Sequence, residues 1–251
     1  MRIRLLASLL TACALAGCGG SAATSTGVTG NAEVRFLHGS PDQPAIDWDL
    51  PAGTAVVSGQ QFKTITAYQS IAAGTYSVGA TPHGSTTLIQ PPTGNNNLSL
   101  QANHRYTIVL GGSAADLDQQ LCIFDEPLFT TATGTAAVQF NNCTPTNSGL
   151  VGTETVGYYP PGTPASSVAL GNGISFAQNS GIFTLPSSAA SGVGFYTGSP
   201  TEGSLLPVQL DSTNTTNALP FVNDQNVSVF ILDGPIGGST LTLVGALDPN
   251  N

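Results

Sequence analysis

Beyond the first thirty residues, apolar positions fall in short runs with a period of two, broken by turn residues. The clearest run is Val34-Arg35-Phe36-Leu37-His38, followed by Gly39-Ser40-Pro41-Asp42. Alternation puts Val34, Phe36 and His38 on one face of a strand, and the residues after them have turn chemistry. Residues 45–50 alternate too, with Ile46, Trp48 and Leu50 together, and 51–54 turn the chain. Further strands are expected over 62–68, 75–80 (Tyr76, Val78 and Ala80 inward), 86–89, 98–100, 106–110 and 120–124, with a polar loop over 91–97. Strands at this spacing without helical periodicity predict a sandwich or barrel.

A weaker copy of the opening run stands at Val138-Gln139-Phe140-Asn141-Asn142-Cys143-Thr144-Pro145. Val-x-Phe and Ser/Thr-Pro recur at the same internal spacing, which points to a duplication. Residues 156–161 take the place of the Trp48 strand, 180–186 echo the Tyr68 region, and 192–196 echo the Tyr76 strand. Residues 227–232 echo 106–110, and Asp248-Pro249 ends the chain much as Asp125-Glu126-Pro127 ends the first copy. The expected fold is all-β, two tandem antiparallel β-sandwich domains of immunoglobulin-like or transthyretin-like type, at 31–131 and 132–251. In the second copy Arg35 becomes Gln139, His38 becomes Asn142, and the Asp after the Pro is lost. A task shared by His38 and Asp42 would therefore belong to the first domain alone.

Composition sharpens this picture. The 251 residues include 30 Gly and 17 Pro, and only 8% are charged, which suits strands and turns better than helices. Two of the five basic residues, Arg2 and Arg4, open the chain, leaving Arg35, Lys63 and Arg105 against 14 acids. Three cations cannot neutralise a phosphate backbone, so a nucleic-acid partner is excluded. Arg2 and Arg4 precede an apolar run over 5–15, too short for a stable span, which reads as a secretory signal over 1–17. It ends Leu15-Ala16-Gly17-Cys18, which resembles the bacterial lipobox, with Cys18 as the lipidated residue. Ordinary cleavage after Ala14-Leu15-Ala16 also fits the pattern. Residues 18–30 then form a flexible tether. The absence of Asp after Cys18 resembles sorting to the outer membrane, on its periplasmic or surface face. The membrane partner would be reached through acyl chains, each buried methylene contributing ~0.8 kcal/mol.

Beyond Cys13 and Cys18, two cysteines remain, Cys122 and Cys143. In an oxidising compartment they read as a disulfide, closing a loop of about 20 residues for roughly 3 kcal/mol. Two buried thiols are the alternative; a two-cysteine metal site lacks a nearby His.

Residues 34–42, then Asp47, Tyr68, Ala73-Gly74-Thr75-Tyr76 and Tyr106-Thr107-Ile108-Val109, resemble the DUF4397 domain. The resemblance covers about a hundred residues in several ordered motifs. That family has no known function and occurs in bacterial secreted and surface proteins, often in tandem. The resemblance implies an extracytoplasmic β domain and no activity.

His38 precedes a turn rich in oxygen ligands, Ser40 and Asp42, with Asp47 and Asp49 beyond. This is the candidate polar site: His38, Ser40, Asp42 and Asp47. It reads either as a small metal or carboxylate site or as a turn whose side chains hydrogen-bond backbone, and the second reading is preferred. No Ser sits in a Gly-x-Ser-x-Gly setting and no glycine pair opens a phosphate-binding helix, so no catalytic residue, metal ligand or cofactor is assigned. Trp48 lies on an alternating strand and is expected in the core, although with Tyr68, Tyr158 and Tyr159 it could line a glycan platform. The expected function is a non-catalytic cell-envelope lipoprotein, a binding or structural module for an envelope protein or glycan. The alternative is a secreted hydrolase or metal-dependent enzyme using the His38/Asp42 region, and burial of His38 against backbone would count against it.

Overall fold

The computed structural model describes residues 30–51, 55–89, 96–126, 130–145, 156–159, 168–169, 174, 176–186, 192–197, 205–206, 208–210, 214–216, 219–220, 225–234 and 241–249. The signal at 1–17, Cys18, nearly all of the tether, most of the 91–97 loop and the Tyr158 and Tyr159 side chains lie outside them. Every regular element among the described residues is a strand. No helix there is long and apolar enough to cross a membrane.

The first half contains β1 (Asn31–His38), β2 (Ile46–Asp49), β3 (Ala55–Gln60), β4 (Gln69–Ala72), β5 (Gly74–Ser77), β6 (Gly79–Pro82), β7 (Asn97–Leu100), β8 (Arg105–Gly111) and β9 (Gln120–Glu126). One layer is the sheet β4-β1-β8-β9; the other is made of β3-β2-β6 and β5-β7. Between them lies a core of Val34 and Phe36 from β1, Ile46 and Trp48 from β2, Ala80, Leu98, Leu100, Ile108 and Leu110. Trp48 is fully buried there, and its indole N–H donates to Gln60 Oε1, so it is a core residue and no platform. The sheets are mixed rather than wholly antiparallel, because β1 runs parallel to β8, from Glu33↔Arg105 to His38↔Leu110. A parallel neighbour needs a long crossover. Here the crossover from β1 to β8 carries the whole opposite layer, β2 to β7.

Two expected strands are absent. Over 62–68 only Ile65 bridges to Leu37, and the strand starts later, at Gln69. Local bonds compete with the ladder here: Thr64 Oγ1 donates to the Gln61 carbonyl at 2.6 Å, and Lys63 sits at φ 65°. Residues 86–89 form no strand either, and the Thr87 amide turns back to Ser85 Oγ at 3.1 Å.

The second half contains β10 (Thr135–Asn142), β11 (Val156–Tyr159), β12 (Val168–Ala169), β13 (Asn179–Pro186), β14 (Gly192–Thr197), β15 (Leu205–Leu206), β16 (Val208–Leu210), β17 (Asn214–Thr216), β18 (Leu219–Pro220), β19 (Gln225–Leu232) and β20 (Thr242–Pro249). Its sheet β13-β10-β19-β20-β16-β17 repeats the first with two strands added. As in the first half, β10 is antiparallel to β13 and parallel to β19, and β19 is antiparallel to β20. The registers make Phe36 equivalent to Phe140, His38 to Asn142, Thr107 to Ser228 and Glu126 to Asp248.

The two main sheets pack against each other. On β1 the even positions enter the first core, while Leu37 joins Val109, Cys122 and Phe124 in a cluster with Cys143, Phe230, Leu232, Val244 and Ala246 of the second half. Contacts across this seam are reciprocal. A Cβ on Gly39 would lie 2.7 Å from Leu232, and one on Gly111 would collide with Cys143. Cys143 is the counterpart of Gly39, and Leu232 that of Gly111, so equivalent surfaces face each other about a pseudo-two-fold axis, as in an isologous dimer. The Cys122–Cys143 disulfide, with a Cα separation of 5.9 Å, ties the halves at this seam.

Candidate functional site

The turn after β1 is built from buried backbone bonds. His38 is fully buried, and its Nε2 lies 3.0 Å from the Pro44 carbonyl, so that nitrogen carries the proton. Nδ1 then accepts from the Ser40 amide at 3.4 Å. Burial lowers the imidazole pKa, against the pull of the Pro44 and Gln43 carbonyls, and keeps the ring neutral. In the second half Asn142 makes the same bonds. Its Nδ2 donates to the Ile174 carbonyl at 2.6 Å, and its Oδ1 accepts from the Thr144 amide at 2.9 Å. The surroundings match as well. The Lys63 amide donates to the His38 carbonyl at 2.8 Å and the Ala177 amide to the Asn142 carbonyl at 2.9 Å. Lys63 and Ala177 both have positive φ, at 65° and 57°. The Phe36 and Phe140 amides donate to Thr66 Oγ1 and Ser180 Oγ, each at 3.0 Å.

Ser40 and Asp42 belong to the same corner. Ser40 Oγ accepts from Gln119 Nε2 at 2.9 Å and lies 3.4 Å from Asp42 Oδ1. The Asp42 carboxylate accepts from Ser113 Oγ at 2.9 Å and from the Ala114 and Ala115 amides at 2.8 and 2.7 Å. Partial burial pushes its pKa up, but these bonds outweigh that and hold it below the usual carboxylate range. Asp47 makes its bonds elsewhere. Its Oδ1 accepts from the Gly59 amide at 2.7 Å, Ser58 Oγ at 2.8 Å and His83 Nδ1 at 2.8 Å. Ser58 and His83 thus converge on one carboxylate oxygen, whereas a nucleophile triad places Ser and Asp on opposite ring nitrogens. The structure therefore joins His38, Ser40 and Asp42, and gives Asp47 a separate set of partners. Among the described residues no group of three or more His, Cys, Asp and Glu is disposed to hold a metal.

The more polar cluster lies on the seam, and none of its residues is in the candidate polar site read from the sequence. Arg35, buried in β1, donates from Nη2 to Glu126 at 2.8 Å and from Nη1 to Asp248 at 2.9 Å. Its Nε donates to Thr107 Oγ1 at 2.7 Å, and its guanidinium lies 4.4 Å from the centre of the Tyr68 ring. The Tyr68 hydroxyl donates to the same Glu126 oxygen. Burial alone would lower the Arg35 pKa, but Glu126, Tyr68 and Asp248 raise it. Burial pushes the Asp248 carboxyl up; Arg35 opposes this and Glu126 adds to it. Burial and Glu126 also keep the Tyr68 hydroxyl protonated, far above its ordinary range. A cavity of about 300 Å³ opens on one side of the cluster, lined by Arg35, Ile65, Thr66, Tyr68, Leu247 and Asp248. A narrower pocket, lined by residues of both halves, includes Tyr68, Glu126, Gln139, Ile182, Ser228 and Asp248. The signal that could have located this cluster was the echo of Glu126-Pro127 in Asp248-Pro249, in a chain with so few cations.

A match to a family model covers residues 32–150, from β1 through β10 and beyond. The matched family is DUF4397. The family is described as a domain of unknown function. No curated protein matches the chain. Among solved structures, one described as "Putative cell adhesion protein from Parabacteroides distasonis ATCC 8503" covers 89% of this chain and 100% of its own at 9% identity, with a TM-score of 0.24. At that score it adds nothing to the DUF4397 assignment.

Proposed function

We propose that the chain is a non-catalytic lipoprotein of the cell envelope. Acyl chains on Cys18 would hold it at the outer membrane, and the DUF4397 domain with its second half would form a rigid module for binding or structure. The leader and the lipobox-like Leu15-Ala16-Gly17-Cys18 support the anchor. The observation that carries the rest is the equivalence of His38 and Asn142. An amide makes in one half the bonds that an imidazole makes in the other. Those bonds need one donor and one acceptor and no proton transfer, so the His38 region is accounted for as a turn brace.

The test is metabolic labelling with palmitate followed by membrane fractionation. Label should enter the wild-type protein and leave with Cys18→Ser, which should also lose the membrane fraction. In the same cells His38→Asn should complement whatever envelope phenotype deletion produces. Failure to complement with the fold intact would return the hydrolytic reading to favour.

A further inference from the structure

The two main sheets match strand for strand except at one edge. In the second half β20 carries β16 on its outer side, parallel, from Val208↔Leu243 to Leu210↔Gly245, with β17 beyond it. β9 is the counterpart of β20, and among the described residues no strand lies on its outer side. The registers make Leu121, Cys122 and Ile123 equivalent to Leu243, Val244 and Gly245, the positions that β16 covers. Burial follows the difference. Leu243, Val244 and Gly245 are buried, whereas Leu121 and Ile123, packed against the first core, are only partly so.

β9 also lacks the devices that usually guard an edge, namely short length, Lys or Pro, and bulges. It runs for 7 residues, contains neither Lys nor Pro, and pairs with β8 without a shift in register. The other outer strands of the first half are guarded. β4, β5, β6 and β7 have 4 residues each, and β3 meets β2 with register shifts. Just before β9, Leu117 is 79% exposed, between Asp116 and Asp118. Asp233 of the second half lies close enough to feel both acids. At the far end Asp125 is paired with His104 at 2.9 Å. Negative charge therefore gathers where β9 begins.

We propose that the outer edge of β9 takes up an extended segment of a partner protein as an additional strand, parallel to β9, in the place that β16 fills on β20. Main-chain hydrogen bonds supply the affinity, and apolar residues at alternate positions cover Leu121 and Ile123. A parallel strand starts where β9 starts, so its leading end meets Asp116 and Asp118. The partner therefore carries Lys or Arg just ahead of its apolar stretch. A second copy of this chain fits poorly, because beyond the leader it has only Arg35, Lys63 and Arg105 against 14 acids. The inference rests on the binding-module reading and names the class of partner. The palmitate label and the complementation by His38→Asn test that reading without reference to β9.

The experiment titrates the mature chain, carrying Cys18→Ser, with an acetylated and amidated peptide, Lys-Lys-Thr-Val-Gln-Leu-Thr-Val-Gly. Amide chemical shifts and hydrogen exchange are followed. Saturable binding that slows exchange in β9 is expected, at least about tenfold tighter than for the same peptide led by Glu-Glu. Moving the lysines to the other end should weaken it, and the preference should shrink with added salt. N-methylation of one alternate set of peptide amides should abolish binding, and of the other set should leave it. Ile123→Lys should block the edge. Asp116→Lys, at an exposed position, should weaken binding at unchanged Tm and keeps the test open if Ile123→Lys does not fold. No saturable binding, equal affinity for the Glu-led peptide, indifference to both N-methyl sets, or slowed exchange at β4 instead of β9 would overturn the inference. So would a dimer of the mature chain that protects β9 without peptide.

Discussion

The two halves keep one feature and lose another. The turn after β1 and the turn after β10 use the same set of bonds, braced by His38 in one and Asn142 in the other. At the seam the halves differ: Arg35 corresponds to Gln139, Tyr68 to Ile182, and Asp233 stands where the first half has Gly112. Bonds that position backbone survive a change of side chain as long as one donor and one acceptor remain. Charges at the seam have no such tolerance, because a buried ion depends on its particular partner. Chemistry peculiar to this chain is therefore to be sought between the halves rather than in the motif at the end of β1.

The largest effect expected is from Arg35→Met. It leaves Glu126 and Asp248 buried without their cation and should cost about 3–5 kcal/mol in denaturant titration. Gln139→Ala, at the equivalent place, should cost about 1 kcal/mol or less. Similar losses from both would erase the asymmetry. Next comes the clamp between the halves. Replacing Cys122 and Cys143 together by Ala opens a loop with a sequence separation of 21. The loss should be about 3 kcal/mol, measured against the oxidised protein.

The turn offers a finer comparison. His38→Ala strands the Ser40 amide and the Pro44 carbonyl and should cost about 2–3 kcal/mol. His38→Asn imitates the second half and should cost about 1 kcal/mol, for the ring volume it gives up near Phe62. If the two variants were equally destabilised, the equivalence of the turns would be a coincidence of geometry.

The smallest effect is a pH dependence of opposite sign in the two halves. Burial, followed by Asp118 and Asp116, pushes the Asp233 carboxyl up to about 7, while the Gly112 amide opposes. Between pH 7 and the ordinary carboxyl value the folded state holds a proton that the unfolded chain releases. Asp233 therefore adds stability at lower pH that is lost as pH rises through about 7. His38 acts the other way. Its folded pKa is depressed, so its contribution is full above the ordinary histidine value and is lost as pH falls toward the folded one. Asp233→Asn should remove the loss on the alkaline side, and His38→Asn the loss on the acid side, in Tm measured across pH.

Much of the scaffold was legible because β1, β8, β10 and β19 are rich in apolar and β-branched residues. Their spacing also revealed the duplication. The disulfide followed from compartment and from the number of cysteines left. The parallel pairing of β1 with β8 was not legible, since alternation defines faces and not neighbours. The strand placed at 62–68 failed because Thr64 spends its hydroxyl on the local Gln61 carbonyl, while the Thr66 hydroxyl oxygen accepts from the Phe36 amide of β1 in place of a backbone ladder bond. For the site, His38, Ser40 and Asp42 do come together, but as a brace. Alternation placed Arg35 on the face opposite Val34, Phe36 and His38 and assigned it no partner. Its partners lie 91 and 213 residues away, beyond any local pattern, and only packing of one half on the other brings them to it.

The central claim is that equivalent sheet faces of the two halves are packed together around Arg35. A double-mutant cycle joining Arg35→Met and Asp248→Asn tests it most directly, for the contact exists only if the halves meet there. The account predicts a coupling of at least about 1.5 kcal/mol between the two substitutions. Additivity within about 0.5 kcal/mol would contradict it.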